Sequence, residues 1–273
     1  MPVPVPAPGA SGLKGAAFFD LDKTLIEGSS GVYFARVAYR SGLINRRQLL
    51  VALWANVKFR LRGSTDAASE EIRQRVLDAI AGTPVKELQR LGHEILAGVL
   101  PRIYPEVLKA AYEHQDAGRP AFIVTAASQE MAALMAHVLV LDGGIGTRSE
   151  IKDGVYTGRP DGPFTYRSGK AEAIKIVAEE HGIDMGASYA YSDSESDLPM
   201  LSAVGHPVAV NPDAELERIA RERGWRIMRF DKLGRRLRIA SALGAVTLLG
   251  GAGGYVVGRI RKSPSRLTRL LRS

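Results

Sequence analysis

The sequence predicts an α/β fold: a doubly wound, mostly parallel sheet with an all-helical block inserted after the first strand. Three observations carry this reading. Short apolar runs that end in polar residues alternate with helical stretches, which is the pattern of a parallel sheet covered on both faces. Residues 30–100 place their apolar side chains at helical spacing throughout. The chain has 273 residues, 45% of them apolar, enough for one large domain with an insertion or for two domains with a real core.

The elements follow in order. "MPVPVPAPGASG" is rich in Pro and uncharged, so residues 1–15 read as a polyproline-like leader; the basic start and apolar core of a secretory signal are missing from it. "AAFFD" (16–20) is an apolar run of strand length. The insertion 30–100 divides into about four helices at Ser41-Gly42, Gly63-Ser64 and Gly82-Thr83-Pro84. The main body resumes at 101 with a helix over 105–117 and the strand "AFIVT" (121–125). A helix follows from Ser128, a good N-cap residue. "RSEIKDGVYTGRP" predicts a hairpin turning at Asp153-Gly154. After it come a helix (169–181), a strand (188–192), a short helix (195–203), a strand (207–210), a helix (213–223) and a strand (225–230). Residues 16–29 and 101–231 therefore form the core, and 30–100 a cap.

Composition removes some function classes. Cysteine is absent, which excludes disulfides and thiolate metal sites. The histidines show no H-E-x-x-H spacing, and "GGIG" (143–146) opens no helix, so it is not a dinucleotide fingerprint. The net charge of +8 is unevenly placed. Residues 218–273 hold 15 Lys/Arg and 2 Asp/Glu, whereas the first 217 hold 22 and 27. Basicity belongs to the tail, 232–273. Within it, 239–258 is a 20-residue uncharged run, "IASALGAVTLLGGAGGYVVG", flanked by arginines. It has the length of a membrane-spanning helix, with Gly250/Gly254 and Gly254/Gly258 at helix-packing spacing. The expectation is a C-terminal apolar helix that associates with a membrane, its catalytic domain on the cytoplasmic side. A re-entrant helix or a soluble Gly-rich linker are the alternatives. Interleaved aromatics are lacking, which argues against nucleic acid as a partner.

The candidate chemistry sits where strands end, since ligands of such sheets bind at the carboxyl ends of the strands. "FDLDKT" puts Asp20, Asp22 and Thr24 after the first strand. Thr125 ends the second. Lys170 opens a later helix in "SGKAEAI", and "SDSESDLPML" supplies Asp193 and Asp197. Like-charged carboxylates brought together need a compensating cation or electrophile.

That order resembles the haloacid dehalogenase-like superfamily: D-x-D-x-T, a strand-terminal Ser/Thr, a Lys, then D-x-x-x-D. The resemblance covers about residues 16–230. The helical insertion directly after the first motif is similar to the subfamily IB branch that contains phosphoserine phosphatase. The resemblance implies a Rossmann-like core, Mg²⁺ as cofactor and phosphomonoester hydrolysis. By the same resemblance Asp20 would be the nucleophile that becomes an aspartyl-phosphate, and Asp22 the general acid and base. Thr125 and the adjacent Ala126 would bind the phosphoryl group, and Lys170 would offset its charge. Asp20, Asp193 and the backbone carbonyl of Asp22 would hold Mg²⁺, with Asp197 orienting a water ligand or Lys170.

Three departures from the branch leave the substrate open. Ser29 stands where phosphoserine phosphatases carry a substrate-binding glutamate. Thr125-Ala126-Ala127 replaces Ser-Gly-Gly, and Lys23 replaces a small residue. Arg60, Arg62 and Arg73 are cap cations that a second anionic group on the substrate could use. A small phosphorylated metabolite or a lipid-derived phosphomonoester fits the motifs. The alternative from another class is a membrane-associated interaction scaffold that keeps the fold without turnover.

Overall fold

The computed structural model describes residues 14–230 apart from 43, 48, 51–72, 75–76 and 79. Six strands form one parallel sheet, β1 (Ala17–Asp20), β2 (Ala121–Ser128), β3 (Gly143–Thr147), β6 (Tyr189–Ser192), β7 (His206–Val210) and β8 (Arg226–Met228), in the order β3-β2-β1-β6-β7-β8. Between them a separate antiparallel hairpin pairs β4 (Ser149–Lys152) with β5 (Val155–Pro160). The hairpin turns at Asp153 and Gly154, both in the left-handed region with φ of 52° and 77°, as a type I′ turn requires.

Side chains alternate across a strand, so adjacent phenylalanines on β1 report the two faces. Phe18 stacks on Phe122 at 5.7 Å and joins Ile174, Met200, Leu201, Leu216 and Ala220 in one core cluster. Those partners come from helices after β5. Phe19 faces the other way and stacks on Tyr191 at 4.3 Å. That second face takes α4 (Pro105–Asp116), whose His114 meets Phe19, and α5 (Gln129–Val138). Ser128 caps α5 as its sequence indicated, accepting from the Met131 amide.

β3 is the strand that sequence reading passes over, because three of its five residues are glycine and glycine is depleted in strands. The glycines have a packing reason. A Cβ at Gly144 would lie 2.2 Å from the backbone of Ala132, so their absence lets α5 lie directly on the sheet edge.

The described part of the insertion is helical: α1 (Ser30–Arg40), α2 (Val85–Arg90) and α3 (Gly92–Val99). The breaks at Ser41-Gly42 and Gly82-Thr83-Pro84 are present, with Gly42 and Gly82 at positive φ. The break at Gly63-Ser64, with Arg60 and Arg62, lies outside the described residues. The β4-β5 hairpin packs on this insertion. Gly82 donates to the Tyr156 carbonyl, Tyr156 to Thr83, and the buried Tyr156 clusters with Ile80 and Leu88. The cap is thus helical in sequence but is completed by a hairpin contributed about fifty residues after its end.

Residues 231–273, including the apolar run 239–258, lie outside the described residues. Among the described residues, no helix is long and apolar enough to cross a membrane.

A cavity of about 410 Å³ lies beside α4, lined in part by Lys109, His114, Arg119, Tyr191 and Arg226. Its chemistry is set by His114, which is 5% exposed. Arg119 Nε donates to Nδ1 at 2.8 Å, and arginine stays protonated, so Nδ1 must be the bare nitrogen and Nε2–H donates to the Tyr191 hydroxyl at 2.8 Å. Burial first, and then Arg119, hold the His114 pKa down to about 4 from 6.5. The unfolded chain therefore takes up this proton before the folded one does. The contribution is whole above pH 6.5 and is lost as pH falls toward 4, at up to ~1.4 kcal/mol per pH unit. Urea unfolding at pH 7 and pH 5 should show a wild-type loss that His114→Gln lacks. Equal pH slopes for the two proteins would contradict the neutral buried imidazole.

Candidate active site

The parallel register builds the site. Asp20 aligns with Val124 of β2, and Phe19 aligns with Tyr191 of β6. One residue further along each strand come Thr125 and Ser192, followed by Asp193. Three neighbouring strands thus deliver their polar ends to one edge of the sheet, the carboxyl edge. The β2–β3 register shifts between Val124 and Ser128. β2 does not stop at Thr125 as its sequence suggested; it continues to Ser128 with Thr125 at the irregularity.

Lys170 reaches this edge from the first turn of α6 (Ser168–His181). The residue before it must be small: a Cβ on Gly169 would sit 1.8 Å from the Phe164 carbonyl oxygen. Lys170 Nζ is 2.5 Å from Asp20 Oδ1 and 2.6 Å from Asp197 Oδ2, and the lysine is only 4% exposed. Asp197 precedes the short helix α7 (Leu198–Ser202) and also accepts from the Ser192 hydroxyl at 2.7 Å. Of the two positions open to Asp197, the structure shows the one on Lys170. Asp193 pairs with Lys23 Nζ at 3.5 Å.

Asp22 points differently. Its carboxylate accepts from the Ser29 hydroxyl at 3.0 Å and from the Ser30 amide at 2.8 Å. Those residues begin α1, whose N-terminal end favours an anion. The side chain that takes the place of the family's glutamate therefore binds Asp22 directly. Thr125 is buried, and its hydroxyl accepts from the Ala127 amide at 3.2 Å. The Ala126 carbonyl is taken by the Thr147 hydroxyl. Sequence reading also missed Asp213. It accepts from the Glu195 and Leu216 amides while its own amide donates to the Asp193 carbonyl, which fixes the loop that carries Asp193. An N-cap spacing was its only signal.

Asp20, Asp193 and Asp197 are each more than nine-tenths buried, and one buried lysine stands among them. Burial raises the Asp20 pKa to about 8; Lys170 opposes this, while Asp197 and Asp193 add to it. Burial likewise raises Asp193 to about 6, against the pull of Lys23. Burial alone would depress Lys170, but Asp197 and Asp20 outweigh it and hold the ammonium above its ordinary range. With Lys170 and Lys23 as the counter-charges among the described residues, the carboxylates remain under-neutralised.

A divalent cation with a preference for oxygen fits this deficit. Asp197 Oδ1 is a buried acceptor with no hydrogen-bond partner, which adds to the unmet demand. Among the described residues no three His, Cys, Asp or Glu side chains form a metal cage. What this edge offers is a set of oxygen donors, the buried carboxylates of Asp20, Asp193 and Asp197. So sparse a set suits Mg²⁺, which keeps several of its waters.

A parallel sheet that gathers these acids and Lys170 at its carboxyl edge, with a cap inserted after the first strand, has the layout of a capped α/β enzyme. A sequence model of the haloacid dehalogenase-like hydrolases matches residues 17–202; the chain belongs to that family, in its phosphoserine phosphatase-like branch, and is a phosphatase. It is 40% identical over 277 aligned residues to phosphoserine phosphatase SerB1 of Mycobacterium tuberculosis, covering 97% of this chain and 88% of that one. It is 31% identical to a histidinol-phosphatase of Neisseria meningitidis, across 80% of this chain and all of the other. A solved structure from Bordetella pertussis Tohama I, of unknown function, matches with a TM-score of 0.69 and 30% identity, covering 80% of this chain and 99% of that one.

Proposed function

We propose that this chain is a Mg²⁺-dependent phosphomonoesterase that works through an aspartyl-phosphate on Asp20. The observation that carries the reading is Lys170 held between Asp20 and Asp197. An ammonium at 2.5 Å keeps one Asp20 oxygen in place and leaves the other for attack on phosphorus. Asp22 gives a proton to the departing ester oxygen as the P–O bond breaks. It then takes a proton from the water that attacks the phospho-Asp20, releasing inorganic phosphate. Ser29 and the Ser30 amide hold Asp22 in orientation for both steps. The Thr125 hydroxyl and Lys170 donate to the phosphoryl oxygens, where charge builds in the transition state. Asp20, Asp193 and the Asp22 carbonyl would hold Mg²⁺, which would supply further charge neutralisation.

For substrate class, the two named activities among the relatives share a chemistry. Phosphoserine and histidinol phosphate are both phosphate esters of primary 2-amino alcohols. We place the substrate of this chain among small 2-aminoalkyl phosphates. An inert scaffold would have no use for a buried Lys–Asp cluster whose acids burial disfavours.

The test is a phosphate-release panel with Mg²⁺ and with EDTA. It holds phosphoserine, histidinol phosphate, phosphoethanolamine and, because of the basic and apolar tail, a lysophosphatidate. The expected result is turnover of an aminoalkyl phosphate that stops with EDTA and returns with excess Mg²⁺. Turnover insensitive to EDTA, or none across the panel, would reject the reading.

A further inference from the structure

Lys23 is the residue at this edge that neither the motif nor the proposed chemistry uses. It follows Asp22 directly and has a φ of 60°. A left-handed backbone suits Gly or Asn, and other residues adopt it at a cost of roughly 1–2 kcal/mol. The loop fixes that conformation, because the Lys23 amide donates to the Gly28 carbonyl at 3.0 Å. A lysine is thus placed where the backbone alone would favour a different residue. Its ammonium lies 3.5 Å from Asp193 Oδ2, with the lysine side chain 43% exposed and the aspartate side chain 9% exposed.

Lys170 and Lys23 therefore differ in kind. Lys170 is buried between two carboxylates at 2.5 and 2.6 Å. Lys23 reaches in from solvent to a single carboxylate at a longer distance, so it can leave at little cost. Asp193 is also one of the carboxylates that fit Mg²⁺. We propose that Lys23 is a tethered counter-cation for Asp193 and weakens Mg²⁺ binding by competing for that carboxylate; this rests on the metal reading given above. Lys23 is then a positioning residue. It holds Asp193 in place when the metal is away, and it sets how much free Mg²⁺ the enzyme needs.

Calorimetric titration of the full-length protein with Mg²⁺, in the absence of substrate, tests this. Lys23→Asn removes the charge and suits the left-handed backbone, so it should fold at least as well as wild type. It is expected to bind Mg²⁺ up to about fivefold more tightly, the scale of a solvent-exposed ion pair. Lys23→Arg keeps the charge and should bind as wild type does. Equal Mg²⁺ affinity in wild type and Lys23→Asn overturns the role of Lys23 and leaves the phosphatase reading standing. Tightening in Lys23→Arg as large as in Lys23→Asn also overturns it, because charge would then not be the cause. Wild-type protein that binds no Mg²⁺ overturns the metal reading and this inference together.

Discussion

Asp20→Asn is expected to lower phosphate release by about 10⁴-fold or more, the scale seen when a reacting side chain is removed from a catalytic unit, while leaving the melting temperature unchanged or higher. The two halves of this result have separate causes. An amide oxygen cannot form and then release a phospho-enzyme as a carboxylate does, so no compensating group remains once Asp20 is neutral. Stability responds in the opposite sense. Asp20 is 6% exposed, and burial together with Asp197 and Asp193 raises its pKa to about 8. Its charge is therefore a strain on the folded state, only partly offset by Lys170. An asparagine keeps an oxygen for the Lys170 ammonium and removes one of three crowded negative charges. Steady-state turnover on the best panel substrate, measured beside a thermal melt, checks both. Activity within about a hundredfold of wild type would discard Asp20 as nucleophile. Lost activity with a melting temperature down by many degrees would mean that the substitution had broken the fold.

The acids of this cluster were legible because strand periodicity and motif order carry them. An apolar run must become a strand, a strand in a parallel sheet must end at the ligand edge, and Asp20, Thr125 and Asp193 each follow such a run. Lys170 was legible from its place in the motif order, although a cation at the start of α6 is disfavoured by the helix dipole and its neighbours gave no independent sign. What sequence could not show was pairing between distant segments. Nothing local links Lys23 to Asp193, which follows it by 170 residues, and nothing in "DGVYTG" says that Tyr156 will pack on Ile80 and Leu88 of the insertion. β3 was hidden for a different reason. Glycines at 143, 144 and 146 suppress every strand signal, yet close packing demands them, Gly144 and Gly146 against α5 and its cap and Gly143 against Phe122. In sequence Ser29 reads as a missing glutamate; its hydrogen bond to Asp22 shows what it does instead.

Lys170→Met should damage both function and fold, and the pH at which it does so separates the causes. Methionine fills much of the lysine's volume, so packing around the 4%-exposed site survives. Electrostatics do not survive, because Asp20 and Asp197 lose the ammonium that both touch. Removing one partner from a buried ionic cluster typically costs ~3–5 kcal/mol. Carboxyls whose folded pKa lies above the unfolded value take up protons in the folded state first. Lowering the pH therefore stabilises the folded form relative to the unfolded one, down through the unfolded value of 3.8. The deficit of Lys170→Met relative to wild type should be largest near pH 8 and should shrink by pH 5, as Asp20 and Asp193 become neutral. Urea unfolding at the two pH values measures it. Saturating Mg²⁺ should recover part of the stability at pH 8, since it brings positive charge to the same carboxylates. It should not restore turnover, because no cation at Asp193 can donate to the phosphoryl oxygens from where Lys170 stands. A deficit independent of pH would show that the lysine acts through packing, and the charge balance described for this edge would be wrong.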